Sequence, residues 1–376
     1  MIHYLDNAAT SRVLPEAAEV AVRVMCEDFG NPSSLHKMGI DAARILEDSR
    51  AAVAQALSAQ PAEVYFTSGG TESINTALFG AARKNRHAGR HIVTTAIEHA
   101  ATLNACRRLE GEGFAVTYVR PDADGHILAE EMENAMREDT ILVSCMLVNN
   151  EVGTVLPVAE IGRALKRKNP SALFHVDAVQ GLFRLPITPK KWNCDLLSVS
   201  GHKIGAPKGI GALYMKRDTR LAPYIVGGGQ ERGFRSGTEP MPQIAAFAAA
   251  CRVRAARMDE DVAHVQRLKD YLAEQVGRRL PFAQWNGRGD VPHVVNLSLP
   301  GCKSEVMLRV LESRDVFVSA GSACSKGKES AVLRAMGLDK KRIDSALRVS
   351  FAPFNTQEDV DALIAGLEAG ARMLRR

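Results

Sequence analysis

Between Val64 and Met215, seven short apolar runs alternate with longer segments of mixed polarity. No other feature restricts the fold as much. The runs are Val64–Thr67, His91–Thr95, Ala115–Val119, Ile141–Val148, Leu173–Val176, Leu196–Ser200 and Gly211–Met215. The segments between them include amphipathic stretches such as Val158–Lys168. Strand alternating with helix predicts βαβ units and a mostly parallel sheet flanked by helices. After Met241-Pro242 the composition changes. An Ala/Arg-rich helical stretch covers about Ile244 to Val276. Strands are expected at Val294–Leu299, Val316–Ser319 and Leu347–Phe351, and helices at Ser304–Ser313 and Thr356–Leu374. A chain of 376 residues is long for one core. The expected organisation is a large α/β domain over residues 15–255 and a small α+β domain built from 1–14 and 256–376. A cleft between two domains is the default place for a site.

Charge and cysteine usage exclude several classes. The net charge is +5, from 48 basic and 43 acidic residues. The basic clusters are short and no nucleic-acid motif accompanies them, so a solvated surface is expected, with at most a modest attraction to an acidic protein partner. The start of the chain lacks a basic region followed by an apolar core, so no signal peptide is expected there. The longest apolar run of the later half, Ile244 to Cys251, is too short to span a bilayer. A cytoplasmic protein without membrane contact is expected. The seven cysteines lie far apart, which argues against a zinc knuckle or a Cys-x-x-Cys pair. His87 and His91 are four residues apart, but Gly89 between them weakens a helical pairing. Both are expected on the surface, and no metal is expected.

Chemistry concentrates in a few segments. Asp195–Val199 reads as a short buried strand that runs into Ser200-Gly201-His202-Lys203. Lysine is rarely buried without a partner. At the carboxyl end of a strand in an open α/β sheet, where ligands bind, its amine can form a Schiff base with an aldehyde cofactor. Thr67-Ser68-Gly69-Gly70-Thr71-Glu72-Ser73 follows a strand and opens a helix. Its glycines permit a tight turn and its free N–H groups suit a phosphate, with Thr71 and Ser68 as hydroxyl donors. A plain helix cap fits the same residues equally well. Asp177 ends a strand, where a carboxylate can keep a pyridine nitrogen protonated, as pyridoxal phosphate requires. His99, just past another strand, can stack on a planar ring and exchange protons. Cys324 sits among small residues in Val318–Lys328, the pattern of an exposed loop, with Lys326 and Lys328 able to favour its thiolate.

Together these segments resemble the cysteine desulfurases of the NifS/IscS type, class V aminotransferases within the fold-type I pyridoxal-phosphate enzymes. The likeness rests on ten collinear segments. The first five are Tyr4–Thr10, Gly30–Ser34 with His36, Thr67–Ser73, Glu98-His99 and Val148–Gly153. The others are His175–Ala178 with Gln180, Ser200–Lys203, Arg235–Thr238, Gly321–Cys324 and Leu347–Ser350. The resemblance implies an α/β fold with a mostly parallel seven-stranded sheet, and pyridoxal 5'-phosphate as cofactor. It gives Lys203 the cofactor aldehyde, His99 the ring face, Asp177 the ring nitrogen, and Asn150 and Gln180 the ring side. Gly70, Thr71, Ser200 and His202 would bind the phosphate, with Thr238 reaching in from the second subunit of a homodimer. Arg348 would clamp the substrate carboxylate, helped by Asn31 and Asn150. The implied reaction turns L-cysteine into L-alanine and leaves a persulfide on Cys324. The sulfur would pass to an acceptor protein, an iron–sulfur scaffold or a tRNA-thiolation enzyme. The segment after Cys324 is shorter and more basic than is usual for the family, which leaves the acceptor open. Selenocysteine lyase, another class V aminotransferase, and a non-catalytic sulfur-relay subunit are the alternatives.

Overall fold

A computed structural model describes residues 1–321 and 329–374. Its strands are β1 (His3–Tyr4), β2 (Val64–Thr67), β3 (His91–Thr95), β4 (Ala115–Val119), β5 (Thr140–Met146), β6 (Leu173–Asp177), β7 (Leu196–Ser200), β8 (Gly211–Met215), β9 (Gln284–Trp285), β10 (Val294–Ser298), β11 (Val316–Phe317) and β12 (Ala346–Ser350). The helices are α1 (Pro15–Cys26), α2 (Lys37–Ala56), α3 (Gly70–Asn85), α4 (Ala100–Gly111), α5 (Ala129–Ala135), α6 (Val158–Lys168), α7 (Met241–Arg279), α8 (Ser304–Glu312), α9 (Ala331–Ala335), α10 (Lys340–Asp344) and α11 (Gln357–Leu374).

Strands β2 to β8 form one sheet in the order β2-β8-β7-β6-β5-β3-β4. Strands β7, β6, β5, β3 and β4 run parallel, while β8 is antiparallel to both β7 and β2. The carboxyl ends of β2, β3, β5, β6 and β7 therefore share one edge. Every residue of β5 and β7 is buried, as expected where helices cover both faces of a parallel sheet. The α/β architecture and the mostly parallel seven-stranded sheet agree with the sequence pattern.

Boundaries differ in ways that have physical causes. The expected strand Ile141–Val148 ends at Met146. Leu147 N–H makes the last bond to β6, at Asp177 O, and Val148 then bridges Val155, so the chain leaves the ladder. Helix α7 starts at Met241 because Pro242 fits a first helical turn, where its missing N–H costs nothing. His91 is a correction: it is fully buried on β3, not a surface residue. Its strand lies between β4 and β5, and its ring nitrogens meet Thr117 Oγ1 at 2.9 Å and Thr140 Oγ1 at 2.7 Å.

Helix α7 joins two apolar clusters. Met241, Ile244, Phe247 and Cys251 pack into the cluster behind the large sheet. Val265, Leu268, Leu272 and Val276, at the spacing of one helix face, pack with Leu5, Leu347, Val349, Phe351 and Leu363. The second cluster lies on the antiparallel sheet β12-β10-β9 and helix α11. The first residues reach across to it. Strand β1 pairs with β11, and Asp6 bridges Ser350 on β12. This pairing brings Tyr4–Ser11 to the edge where the parallel strands end. No described helix is long and apolar enough to cross a membrane.

Candidate active site

Strand β7 ends at Ser200, and Lys203 follows in a single turn of tight helix. The N-terminal segment receives its amine. Lys203 Nζ donates to Ala8 O at 2.5 Å and Ala9 O at 2.7 Å. Ala8 O also accepts from Gln180 Nε2 at 3.0 Å. Asn7 ties the segment down by donating to Ser350 O and Asn355 Oδ1.

One strand over, Asp177 ends β6 and is only 4% exposed. Its Oδ1 accepts the Val179 N–H at 3.0 Å. Burial pushes its pKa up to about 6, against the opposing pulls of that hydrogen bond and of Lys203. Two residues earlier, on the same face of β6, His175 meets Ser144 Oγ at 2.8 Å and Ser198 Oγ at 3.0 Å. Ser73 Oγ on α3 donates to Ser198 Oγ at 2.8 Å. This buried chain of hydroxyls and one imidazole joins β5, β6, β7 and α3 beneath the pocket.

His99 caps helix α4. Its Nδ1 accepts the Ala101 N–H at 3.1 Å, so the proton of the neutral ring sits on Nε2. Burial, and then the Lys203 charge, lower its pKa to about 4. His202 is lowered to about 4 chiefly by burial, and its Nδ1 lies 3.2 Å from Thr10 Oγ1.

Helix α3 begins at Gly70 behind Gly69, and no side chain bonds to its cap. Gly69 has φ of +149°, in the region that favours glycine. A Cβ on Gly70 would stand 2.9 Å from Val179 Cγ2, so any side chain here would have to displace that wall. The capping reading of this turn holds in part. Glu72 accepts the Ser68 N–H at 2.9 Å, as a cap would, and pairs with Arg235. Ser68 is exposed, and Thr71 is the hydroxyl that reaches the pocket.

Arg348 enters from β12 and is 1% exposed. It donates from Nη1 to Asn150 O at 3.0 Å and from Nη2 to Asp6 Oδ1 at 2.7 Å. Its buried Nε has no hydrogen-bond partner among the described residues.

These groups line one cavity of about 210 Å³. Of the residues expected from sequence, it brings together Gly70, Thr71, His99, Asn150, Asp177, Gln180, Ser200, His202, Lys203 and Arg348. Asn31 and Thr238 are exposed and lie outside that lining. Cys324 lies outside the described residues. Of the remaining six cysteines, Cys26 is exposed and five are buried. Sequence reasoning assigned no role to Asp6, to the Ala8 and Ala9 carbonyls, or to Ile74, Met146, Val148 and Val179 on the walls. Asp6, Ala8 and Ala9 belong to the quoted Tyr4–Thr10 segment, and that segment was the available signal.

The residues suit pyridoxal phosphate. The α3 start and its glycine wall suit a phosphate, the buried acid suits a pyridinium, and the lysine amine suits an aldehyde. The orphaned Arg348 Nε suits a carboxylate. Fold and pocket are those of a pyridoxal-phosphate-dependent α/β enzyme of fold type I. The class-V aminotransferase family model matches residues 3–363, and the chain belongs to that family. It is 43% identical over 362 residues to "Putative cysteine desulfurase IscS 1" of Bacillus subtilis (strain 168), covering 95% of each chain. It is 41% identical over 365 residues to "Cysteine desulfurase IscS" of Methanosarcina thermophila, covering 96% of this chain and 90% of the relative. A solved "NifS-like protein" superposes with a TM-score of 0.94 at 37% identity, over 100% of both chains.

Proposed function

We propose that this chain is a cysteine desulfurase that converts L-cysteine to L-alanine and passes the sulfur through Cys324 to an acceptor protein. One observation carries the reading. Lys203, Asp177 and Arg348, from distant parts of the sequence, meet in a cavity of small-molecule size beside an uncapped helix start. Curated relatives that bear the desulfurase name over nearly the whole chain support it.

Lys203, Asp177, His99, Gln180 and the start of α3, with Ser200 and His202, would hold pyridoxal 5'-phosphate. When bound, the cofactor supplies an electron sink for the charge that develops on the substrate Cα. The chain does the rest. Arg348 takes the substrate carboxylate on its planar fork, with Asn150 beside it. Lys203 removes the Cα proton with its free amine. His99 faces the reacting groups as a proton donor at Nε2, because its Nδ1 accepts the Ala101 N–H. Cys324 thiolate attacks the substrate sulfur. A new S–S bond forms, the C–S bond breaks with its electron pair left on carbon, and that carbon takes a proton to become alanine.

The active assembly is a homodimer in which Thr238 of one subunit completes the phosphate site of the other. The large apolar side chains of Val22, Met25, Phe29, Leu35 and Val226 are exposed, which supports this reading, because exposed apolar surface commonly marks an interface. The division into residues 15–255 and residues 1–14 with 256–376 is supported by the two clusters that α7 joins. A reducing cytoplasm suits a thiol that must be free at each turnover. The acceptor is an iron–sulfur scaffold or a tRNA-thiolation enzyme.

The test is turnover of L-cysteine by the cofactor-loaded protein. Alanine should appear together with protein-bound persulfide. Cys324→Ala should abolish sulfur release and leave the cofactor absorbance intact. Alanine formation by that variant at the parent rate would contradict the persulfide step.

A further inference from the structure

Glu98 precedes His99 in the chain but points away from solvent, with 3% of its surface exposed. One oxygen, Oε1, accepts both of its hydrogen bonds, from Thr95 Oγ1 at 2.8 Å and from the Met146 N–H at 2.9 Å. The other, Oε2, is buried and has no hydrogen-bond partner among the described residues. No described cation pairs with either oxygen. Met146 ends β5 and stands in register with Asp177 on β6. The sheet thus holds two buried carboxyls at the same strand ends.

The groups that act on Glu98 are acids or neutral donors. Asp177 on β6 would repel its charge. So would thiolates at Cys145 on β5 and Cys106 on α4, but burial keeps both thiols protonated. A buried carboxylate without a cation is costly, and two neighbouring carboxyls do not both ionise. Asp177 has Lys203 acting on it, and Glu98 has no such partner. Charge belongs on Asp177 and the proton on Glu98. The balance of effects agrees, since burial lifts Glu98 to about 8 and Asp177 only to about 6.

We propose that Glu98 is a positioning residue of the pocket: an uncharged carboxyl that pins the end of β5 and leaves the negative charge of these strand ends on Asp177 alone. Deprotonation of Glu98 adds a second anion beside Asp177 and impairs the site on the alkaline side. The idea rests on the pyridoxal-phosphate reading of the pocket for its functional consequence. The protonation state itself does not.

The test is therefore made first on the cofactor-free protein, by infrared difference spectroscopy across a rise in pH. The parent should lose a protonated-carboxyl stretch with a midpoint near 8 that is absent from Glu98→Gln. In the loaded enzyme, Glu98→Gln should keep kcat/KM for cysteine within about threefold at neutral pH and lose the alkaline fall, whereas Glu98→Ala should lose about tenfold or more. Absence of that band from the parent at neutral pH would overturn the proposal. So would a Glu98→Gln variant that fails to fold or is as impaired as Glu98→Ala. If the band is present but both loaded variants keep the parent's activity and its alkaline fall, the positioning role is overturned and the pyridoxal-phosphate reading of the pocket is not.

Discussion

Arg348 donates from Nη2 to Asp6 Oδ1 across 2.7 Å, joining residues 342 positions apart. Asp6 orients the guanidinium and balances its charge, while Nε remains without a partner among the described residues. A buried arginine with a spare donor, held against an acid at a pocket wall, is poised for a second carboxylate. Arg348→Ala should weaken substrate capture by about 2–4 kcal/mol, seen as a fall in kcat/KM for L-cysteine with the cofactor absorbance preserved. An unchanged specificity constant would refute the assignment.

The sequence made much of this site legible. Strand alternation located β2 to β8, because buried parallel strands are short apolar runs bounded by polar turns. Lys203, Asp177 and His99 stood out because ionisable residues at strand ends are poorly explained by packing. The partners of Lys203 were not legible: they are the backbone carbonyls of Ala8 and Ala9, which carry no side-chain signature. Nor was the Asp6–Arg348 pair, which depends on Asp6 bridging β12. His91 was expected on the surface once Gly89 weakened its pairing with His87, whereas threonine hydroxyls on both neighbouring strands satisfy its buried ring.

Asp177 should be a stability cost in the cofactor-free protein. Its carboxyl is raised to about 6 from an ordinary value of 3.8, chiefly by burial, so the native state binds the proton more tightly than the unfolded chain does. The contribution is therefore fully present below pH 3.8 and lost as the pH rises through about 6. Near neutral pH, Asp177→Asn without cofactor should gain up to about 3 kcal/mol of stability. Desulfurase activity of the loaded variant should collapse. Thermal unfolding against pH checks the first expectation, and a variant less stable than the parent at neutral pH would contradict it.

His99 should remain neutral across the physiological range. Its pKa is lowered to about 4, so its contribution to stability is present above the ordinary value of 6.5 and lost as the pH falls through about 4. In cofactor-free protein labelled at histidine, the His99 ring should titrate near 4 by nuclear magnetic resonance, with Nε2 as the protonated nitrogen above it. His99→Gln should slow cysteine turnover by about 10²–10⁴-fold, the span expected for loss of a proton-transfer group. Titration near 6.5 would contradict the assigned environment.

The most direct measurement is borohydride reduction of the cofactor-loaded protein, followed by peptide mass analysis. The account predicts that the pyridoxyl group is fixed to the nitrogen of Lys203, and that Lys203→Ala takes up none. A label on any other amine, or full labelling of the Lys203→Ala protein, would contradict it.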